Sequence, residues 1–472
     1  MSSIKGLPSP RFGGVIRVCG VSGCYLLEGD EAGVYNYLIL HANQHRGQES
    51  AGICVYDGLR LVGKKGMGLV TEVFKRRDLR ELSGPVGIGH VRYSTTGASE
   101  PINAQPFKVG YSGGELALAH NGDIVNSGEL RRRLVSEGHA FVSKTDSEVI
   151  ARLLALELTE TDDVFEAFER VMEELVGSYS LTIVTSSGDL IAVRDPWGFR
   201  PICLGWDERG YFVSSETVGL DVLDVEERRE LDRGEVVWIR EGELESKIIR
   251  RERPAVCMFE YVYFARPDSI IEGRCVYACR KRMGHRLAEE APVECDVVVP
   301  VPDSGRTAAL GYAERLGVPM EEGLIKNRYV GRTFIMPEQE ERVRSIRIKL
   351  NPIRELVEGK SVAVIDDSIV RGNTSRQIVE MLRDAGAESI HVRIASPPIV
   401  SPCYYGIDMA TKEELIAADK DIPEIRDEIA ADSLAYLSLE GLVDAIGLKR
   451  SQLCVGCLTG EYPTPIPSPN EG

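Results

Sequence analysis

The spacing of apolar residues changes about halfway along the chain. In the first half, short apolar or alternating stretches such as GVIRV, SLTIVT and GEVVWI predict strands, and SEVIARLLALEL predicts a helix. Turn signals recur at short intervals between residues 176 and 240, which favours an antiparallel sheet there. In the second half, dense Val/Ile runs such as CDVVVPVPDSG, KSVAVIDDSIV and SIHVRIAS alternate with helical patterns, as strands buried in a parallel α/β sheet do.

This change in pattern predicts two domains. A chain of 472 residues is too long for one hydrophobic core, and charged residues crowd into VEERRELDRGE and REGELESKIIRRERP just before Arg253. We therefore assign residues 19–253 to a first domain and 254–472 to a second, which ends in a cysteine-rich segment. Residues 1–18 lack the apolar core of ~7 residues that a secretory signal needs, so they are either a disordered tail or a removable leader.

Composition and charge argue against two classes of protein. Apolar residues make up 43% of the chain, but no run approaches the ~18 consecutive apolar residues that a membrane span requires. The net charge of −17 argues against a general nucleic-acid-binding protein, which needs clustered Lys and Arg. Eleven cysteines without a secretory signal indicate a reducing compartment, so we expect a cytoplasmic protein whose thiols serve catalysis or metal binding.

The stretch VAVIDDSIVRGNTS, residues 362–375, predicts a phosphate-binding site. An apolar strand ends in two adjacent carboxylates, Asp366 and Asp367, and a loop of small residues then opens a helix whose N-terminus can bind an anion. The carboxylates repel phosphate, so they would bind sugar hydroxyls or Mg²⁺, and a phosphorylated ribose satisfies both requirements. The alternative is an ordinary capped helix after a strand. The loop residues that would contact the ligand are Gly372, Asn373, Thr374 and Ser375.

Two further stretches support this interpretation. VVVPVPDSGRTAA places Asp303 and Ser304 directly after a strand, where another loop at the carboxyl end of the sheet would lie. KNRYVGRTF, residues 326–334, is a basic loop that could close over a pyrophosphate leaving group, although a solvated surface loop is the alternative. Its basic residues are Lys326, Arg328 and Arg332.

The paired acids and the small-residue loop resemble the phosphoribosyl pyrophosphate motif of type I phosphoribosyltransferases. That family folds as a parallel α/β domain. The resemblance implies a Mg²⁺ ion held by Ser304, Asp366 and Asp367.

A second group of motifs lies in the first half of the chain. Cys19 in RVCGVSG is followed by NQHRGQESAGI, GHVRYSTTG, LAHNGDIVN and TDSEVI. Each motif alone is weak, because a lone Cys beside Gly is usually a small core residue. Together, in this order and spacing, they resemble the class II, N-terminal-nucleophile glutaminases, which have an αββα Ntn-hydrolase fold.

That resemblance assigns roles to five residues. After removal of the leader, the free α-amine of Cys19 would serve as its own general base. Arg92 would bind the α-carboxylate of glutamine and Asp146 its α-ammonium group. The side-chain amide of Asn121 and the backbone N–H of Gly122 would form the oxyanion hole.

The eighteen residues before Cys19 depart from the simplest pattern, in which the chain begins at Met-Cys. With this extension attached, Cys19 has no α-amine, and we expect the enzyme to be inactive as translated. Cys24 is the rival nucleophile, but it lacks the adjoining CGV sequence.

Cys454 and Cys457 form a C-x₂-C pair that suits one side of a metal ion or cluster. From the residues alone, zinc, iron and a redox dithiol stay open. Cys275 and Cys279 form a competing pair on the predicted helix VYACRKRMGHRLAEE. The candidates for the other two thiolates are Cys257 and Cys403.

From Cys19 to about Pro463 the chain resembles the amidophosphoribosyltransferase family, and within it the subgroup with a propeptide and a [4Fe–4S] cluster. The resemblance implies that glutamine is hydrolysed and ammonia is transferred to 5-phosphoribosyl 1-pyrophosphate in the first step of purine (IMP) synthesis. It also implies a homo-oligomer, often a tetramer, and feedback inhibition by purine nucleotides. The cluster would play a structural role and be held by Cys257, Cys403, Cys454 and Cys457. The thiols left as core or incidental are Cys54, Cys203, Cys275, Cys279 and Cys295.

Two rival functions are disfavoured by the motifs that are present. A nucleotide-sensing regulator that kept both folds but not the chemistry should have lost Cys19, Arg92 or the paired acids, and none is lost. Other class II amidotransferases, such as those that form amino sugars or asparagine, attach acceptor domains that lack VIDDSIVRGNTS.

Overall fold

The structure is a computed structural model that describes residues 18–93, 100–327, 350–407, 409 and 411–466. The described residues form two compact units. The first unit comprises residues 18–283, 403–407 and 440–466, and the second comprises the described residues of 284–402 and 409–439. The first unit thus includes the cysteine-rich end of the chain, which the sequence analysis placed in the second domain. The predicted domain boundary after residue 253 stays a prediction.

Two antiparallel sheets make up most of the first unit. Their strands, in chain order, are β1 (Gly20–Leu26), β2 (Ser50–Tyr56), β3 (Leu61–Met67), β4 (Val86–Arg92), β5 (Phe107–Tyr111), β6 (Gly114–Ile124), β7 (Gly177–Thr185), β8 (Leu190–Arg194), β9 (Cys203–Asp207), β10 (Gly210–Ser214), β11 (Arg228–Glu230), β12 (Glu235–Arg240) and β13 (Glu243–Ile248). Within the described residues, a seven-stranded sheet has the order β11-β9-β10-β1-β4-β2-β3, and a six-stranded sheet has the order β13-β12-β8-β7-β6-β5.

The remaining strands are short in the first unit and longer in the second. They are β14 (Val256–Cys257), β15 (Ile270–Ile271), β16 (Arg274–Cys275), β17 (Val297–Pro300), β18 (Leu324–Lys326), β19 (Leu350–Pro352), β20 (Ser361–Asp366), β21 (Ser389–Ile394), β22 (Ser433–Tyr436) and β23 (Leu453–Cys454).

The α-helices, in chain order, are α1 (Ala32–Ala42), α2 (Val70–Val73), α3 (Arg76–Glu81), α4 (Ser127–Ser136), α5 (Asp146–Glu160), α6 (Val164–Glu174), α7 (Val218–Asp221), α8 (Val276–Glu290), α9 (Arg306–Leu316), α10 (Arg354–Val357), α11 (Asn373–Asp384), α12 (Ile416–Asp419), α13 (Ile422–Glu428), α14 (Leu439–Ile446) and α15 (Gly456–Thr459). A π-helix spans Glu260–Phe264. No described helix is long and apolar enough to cross a membrane.

Buried apolar side chains arrange the first unit in four layers. One cluster lies between the sheets and joins Val21 and Ile88 of the seven-stranded sheet to Ala117 and Val184 of the six-stranded sheet. Helices α4, α5 and α6 cover the outer face of the six-stranded sheet, and α1, α2 and α7 pack on the outer face of the other. The predicted αββα arrangement is therefore confirmed.

The strands between residues 176 and 240 differ from the sequence expectation in one respect. They are antiparallel, as predicted, but they do not form one sheet. Strands β7, β8 and β12 lie in the six-stranded sheet, whereas β9, β10 and β11 lie in the seven-stranded sheet. The alternation of apolar residues reports which strands have a buried face, and both sheets bury a face against the shared core, so the pattern cannot separate them.

The second unit is built on a parallel sheet with the order β17-β20-β21-β22. Strands β17, β20 and β21 are the Val/Ile-rich stretches of the sequence, and the buried side chains of the sheet pack against α11 and α13. Because parallel strands need a crossover between them, helices alternate with the strands along this part of the chain. The predicted parallel α/β fold is confirmed.

Candidate functional site

Cys19 lies directly before β1, which pairs with β4 so that Gly20 is opposite Val91. This register brings Cys19 to the end of β4 that carries Arg92. The Cys19 thiol is 6% exposed, and its Sγ donates to the carbonyl oxygen of Tyr93 at 3.5 Å. Burial raises the pKa of Cys19 to about 11, although Arg92 and the Tyr93 contact lower it in part. The thiol is therefore protonated at neutral pH, and a base must remove its proton before sulfur can attack a substrate.

Strand β6 carries Asn121 and Gly122, the two residues predicted for the oxyanion hole. Asn121 is fully buried, and neither its Oδ1 nor its Nδ2 has a hydrogen-bond partner within the described residues. A buried amide without partners costs free energy, so such groups are kept where a ligand completes them. At Gly122, where φ is +153°, a Cβ would lie 2.0 Å from the carbonyl oxygen of Ser178. Only glycine fits this position.

Asp146 is the first residue of α5, and main-chain amides hold its carboxylate in place. Its Oδ2 accepts from the backbone N–H of Ile124 at 3.1 Å, and its Oδ1 accepts from that of Ser147 at 2.8 Å. Since Ile124 ends β6, this contact ties Asp146 to the strand of Asn121. Arg92 ends β4 and is 3% exposed. The two residues predicted to bind the charged groups of glutamine are thus both buried side chains on fixed elements.

Two histidines connect these strands, and the sequence analysis assigned them no role. His90 on β4 has its Nε2 3.0 Å from the carbonyl oxygen of His120 on β6. The Nδ1 of His120 lies 3.0 Å from Ser147 Oγ and 3.5 Å from Asp146 Oδ2. Burial lowers the pKa of His90 to about 3 and also lowers that of His120, so both rings are neutral. Both histidines lie inside the motifs GHVRYSTTG and LAHNGDIVN, and this position is the feature of the sequence that could have identified them.

Arg46 is another residue near Cys19 that was not predicted from the sequence. Its Nε donates to the carbonyl oxygen of Cys19 at 2.9 Å, and the side chain is fully buried. It lies in the quoted motif NQHRGQESAGI, but a buried arginine cannot be told from an exposed one by its neighbours in sequence.

Cys24, the rival nucleophile, lies within β1 and is fully buried in an apolar cluster with Ile39 and Phe212. Burial raises its pKa well above the ordinary value. These surroundings suit a core thiol better than a nucleophile.

The described residues of the three stretches predicted to bind phosphoribosyl pyrophosphate lie at one edge of the parallel sheet in the second unit. Pro300 at the end of β17 is paired with Ile365 at the end of β20, and the N–H of Val301 donates to Ile365 O at 2.9 Å. The loop with Asp303 and Ser304 therefore starts beside the loop that begins at Asp366, as the strand directions predict.

The basic stretch reaches the same edge through Lys326. Its Nζ is 2.8 Å from Asp303 Oδ2 in a half-exposed pair, so one predicted basic residue contacts one predicted acidic loop. The other two predicted basic residues, Arg328 and Arg332, lie outside the described residues.

Asp366 ends β20 and Asp367 follows it. Burial and the neighbouring Asp367 carboxylate raise the pKa of Asp366 well above its ordinary value. The N–H of Asp367 donates to Asp366 Oδ1 at 2.8 Å, and Ser368 Oγ donates to Asp367 Oδ1 at 2.6 Å. A cation would stabilise the anionic form of Asp366 beside Asp367, so this pair fits Mg²⁺, with substrate oxygens completing the coordination.

Helix α11 begins beyond this loop, at Asn373. Gly372 has φ of +77°, a left-handed conformation that favours glycine. The N-cap residue, Gly372, has no side chain that could cap the first turn of the helix. The N–H groups at Asn373, Thr374 and Ser375 are therefore placed to donate to an anion.

The four predicted cluster cysteines all lie in the first unit, although they come from three separate parts of the chain. Strand β14 pairs with β23 in parallel, and this register sets Cys257 opposite Cys454. Burial raises the pKa of Cys457 well above its ordinary value, and the thiols of Cys403, Cys454 and Cys257 raise it further. Cys275 and Cys279 do not join them, since Cys275 is exposed and Cys279 donates to Ile446 O at 3.6 Å.

Four thiols are a donor set that both a zinc ion and an iron–sulfur cluster take. Within the described ranges, no three His, Cys, Asp or Glu side chains stand close enough together to hold one metal ion.

Comparison with known proteins finds matches to both halves of the chain. A glutamine amidotransferase domain model matches residues 90–221, and a phosphoribosyl transferase domain model matches residues 275–396. The amidophosphoribosyltransferase of Methanocaldococcus jannaschii is 54% identical over 465 residues, which are 95% of this chain and 98% of that protein. The Bacillus subtilis protein of the same name is 46% identical over 461 residues, covering 96% of this chain and 95% of that protein.

A solved structure is similar over nearly the whole chain. The glutamine phosphoribosylpyrophosphate amidotransferase of B. subtilis complexed with ADP and GMP superposes with a TM-score of 0.89 at 45% identity. The match covers 96% of this chain and 98% of that one. Identity and coverage at this level show common descent over both units, and the chain belongs to the amidophosphoribosyltransferase family.

Proposed function

We propose that the chain hydrolyses glutamine at Cys19 and transfers the ammonia to C1 of phosphoribosyl pyrophosphate bound between Asp366 and Ser375. Family membership makes it a glutamine-dependent phosphoribosyl amidotransferase of purine synthesis. The assignment of residues rests on the side-chain amide of Asn121. This amide is fully buried on the strand that is hydrogen-bonded to Asp146, and it has no hydrogen-bond partner among the described residues.

In the first half-reaction, the α-amine of Cys19 accepts the thiol proton and sulfur attacks the side-chain amide carbon of glutamine. The side-chain N–H of Asn121 and the backbone N–H of Gly122 donate to the oxyanion. The protonated amine then gives its proton to the departing ammonia, and water hydrolyses the remaining thioester to glutamate. Arg92 and Asp146 hold the α-carboxylate and α-ammonium groups. A thiol whose pKa is raised to about 11 makes this internal base necessary.

In the second half-reaction, ammonia attacks C1 of the ribose and pyrophosphate leaves, which gives 5-phosphoribosylamine after loss of a proton. The amides that open α11 bind phosphate oxygens, and the paired acids bind ribose hydroxyls. Mg²⁺ held by Asp366, Asp367 and Ser304 would neutralise charge on the leaving pyrophosphate. Lys326 can contribute positive charge at the same edge, since it already contacts Asp303.

Leader removal follows from the choice of base. While residues 1–18 are attached, the nitrogen of Cys19 is an amide and cannot accept a proton. We therefore propose that the mature protein starts at Cys19. N-terminal sequencing of active enzyme should return Cys first, and a sequence beginning at Met1 or Ser2 would contradict the proposal.

We further propose that Cys257, Cys403, Cys454 and Cys457 hold a [4Fe–4S] cluster with a structural role. Support comes from the strand pairing that sets Cys257 opposite Cys454 and from the effect of the Cys257, Cys403 and Cys454 thiols on the pKa of Cys457. Bound there, the cluster would join the end of the chain to residues 256–257 and 403.

Regulation, assembly and location are proposed from the relatives. The solved B. subtilis structure is described as complexed with ADP and GMP, and we propose that purine nucleotides inhibit this chain as well. We also propose a homo-oligomer, in the form of a tetramer, and a cytoplasmic location, which suits eleven cysteines kept reduced.

A coupled assay tests the proposed function. With glutamine, phosphoribosyl pyrophosphate and Mg²⁺ present, we expect glutamate and pyrophosphate to appear at equal rates. Pyrophosphate release that does not depend on glutamine or ammonia would contradict the assignment, as would glutamate release with no pyrophosphate under any condition.

A further inference from the structure

The loop of residues 403–407 lies against the proposed glutaminase site at two separate points. The first is Gly406, which has φ of +88°. A Cβ at this position would lie 2.6 Å from the carbonyl carbon of Gly122 and 2.7 Å from its carbonyl oxygen. The backbone of the loop is thus packed directly on the residue whose N–H is proposed to stabilise the oxyanion.

The second point is the carbonyl oxygen of Tyr405, one residue earlier. It accepts from Arg200 Nη2 at 2.7 Å and from Nε at 3.2 Å. The third nitrogen of that guanidinium, Nη1, is 3.1 Å from Glu260 Oε1.

Glu260 continues the connection toward the nucleophile. Its two carboxylate oxygens accept from Arg46 Nη2 at 2.8 Å and Nη1 at 2.9 Å. The remaining nitrogen of Arg46, Nε, donates to Cys19 O at 2.9 Å. An unbroken series of hydrogen bonds therefore joins the main chain of Tyr405 to the main chain of Cys19.

The charges along this series balance. Arg46 and Arg200 face Glu260 and Glu216, and all four side chains are fully buried. Burial alone would raise the pKa of both glutamates. His45 and Arg46 lower the pKa of Glu216, and Arg46 and Arg200 lower that of Glu260. A buried ion-pair network is weak evidence for stability, because well-packed apolar residues often replace one without loss. The geometry of the network indicates instead that it fixes the positions of the two main-chain groups at its ends, those of Tyr405 and Cys19.

We propose that the loop of residues 403–407 is a positioning element of the glutaminase site, acting on the oxyanion hole through Gly406 and on Cys19 through Arg200, Glu260 and Arg46. The inference rests on the proposed roles of Cys19 and Gly122. These residues contact the main chains of Cys19 and Gly122, so they should affect the rate of the chemical step more than substrate affinity. The same loop carries Cys403, whose Sγ accepts from Tyr405 N at 3.3 Å, so this candidate cluster ligand lies next to both contacts.

Gly406→Ala tests the first contact, with Gly58→Ala as the matched control. Gly58 also has positive φ, +97°, but a Cβ there would meet nothing within 4 Å. We expect Gly406→Ala to lower kcat for glutamine hydrolysis on the order of 10²-fold, with the glutamine KM changed less than about twofold, because a misplaced oxyanion donor acts only in the transition state. Synthesis from added ammonia should match that of Gly58→Ala. Equal glutaminase kcat in the two variants would overturn the proposal.

Arg200→Lys tests the second contact and adds no atoms to the packed loop, so it decides the question if Gly406→Ala does not fold. Lysine cannot bind Tyr405 O twice and Glu260 at once. We expect a fall in glutaminase kcat of roughly 10-fold and an altered rate of Cys19 alkylation by iodoacetamide. Arg229→Lys, which removes a bidentate pair with Glu235, is the control and should change neither quantity. Unchanged kcat and alkylation in Arg200→Lys would overturn the proposal.

These outcomes are separable from failure of the proposed function. If Cys19 is not the nucleophile, Cys19→Ala will retain glutaminase activity. If only the positioning role is wrong, Cys19→Ala will abolish that activity and the loop variants will not differ from their controls.

Discussion

In the first unit, the candidate glutaminase residues are enclosed: Asn121 and Arg46 are fully buried and Cys19 is 6% exposed. In the second unit, the candidate phosphoribosyl site is more open: Asp303, Asn373 and Thr374 are exposed, although Asp367 and Ser375 are buried. An antiparallel sandwich can fix polar side chains between strands before any substrate arrives, whereas the edge of a parallel sheet offers loops that a ligand and metal complete. Substitutions should therefore damage the first site by moving fixed groups and the second by removing binding groups.

The largest expected effect is that of Cys19→Ala. Without the sulfur no thioester forms, and glutamine-dependent synthesis should fall by at least the ~10⁴-fold typical of losing a nucleophile. Synthesis from added ammonia should remain, because it needs only the second unit. Pyrophosphate release with each nitrogen source is the measurement. Equal loss with both sources would show that the two sites cannot be separated.

The next effect belongs to the open site. Asp366→Asn removes a charge from the pair that is proposed to hold Mg²⁺ and ribose hydroxyls. Synthesis from glutamine and from ammonia should fall together, by at least the ~10–100-fold that disturbing a metal's surroundings costs. Glutamate release without phosphoribosyl pyrophosphate should persist at its basal rate. Normal synthesis by this variant would show that the paired acids only cap the loop and do not bind the ribose or Mg²⁺.

Asn121→Ala should have a smaller, purely kinetic effect on the enclosed site. Removing one oxyanion donor costs about 3 kcal/mol of barrier, or roughly 10²-fold in kcat. The glutamine KM should stay nearly constant, because the ground-state amide gains little from this donor. A rise in KM at constant kcat would instead assign Asn121 to ground-state binding.

The sequence is sufficient to propose the chemistry of both sites, but it does not identify the residues that hold the catalytic groups in place. Cys19, Asn121, Gly122, Asp366 and Gly372 lie in motifs whose local order is sufficient to suggest a role. Arg200, Glu260 and Arg46 are spread over more than two hundred residues and meet only through long-range packing, so no local pattern identifies them. The assignment of β9 to one sheet and β8 to the other was equally out of reach, because both strands bury a face in the same core.

The proposed iron–sulfur cluster is tested by measuring metal content rather than a reaction rate. Anaerobically purified protein should contain roughly four iron and four sulfide per chain. Cys457→Ser should lower the iron content and make the end of the chain sensitive to protease, because cluster binding and local folding are linked. Cys279→Ala is the control and should leave iron unchanged, since its thiol contacts Ile446 O instead. Zinc in place of iron would refute the assignment.

The smallest expected effect is a shift along the pH axis. Burial raises the pKa of Cys19 to about 11, so the folded protein favours the neutral thiol. The contribution of the neutral Cys19 thiol to the stability of the folded protein is fully present below the ordinary thiol pKa and is lost as pH rises toward 11. In protein that retains residues 1–18, the rate of Cys19 alkylation should keep rising up to about pH 11. A plateau near pH 8.5, the value of a free thiol, would show that Cys19 is not held in a buried site.

Labelling with a diazoketone analogue of glutamine tests the central claim most directly, since such a reagent alkylates the nucleophile that attacks it. The account predicts one adduct per chain, located at Cys19 by mass spectrometry of the digested protein. Glutamine-dependent synthesis should decline in proportion to labelling while ammonia-dependent synthesis stays unchanged. An adduct at Cys24 or any other thiol, or a parallel loss of both activities, would contradict it.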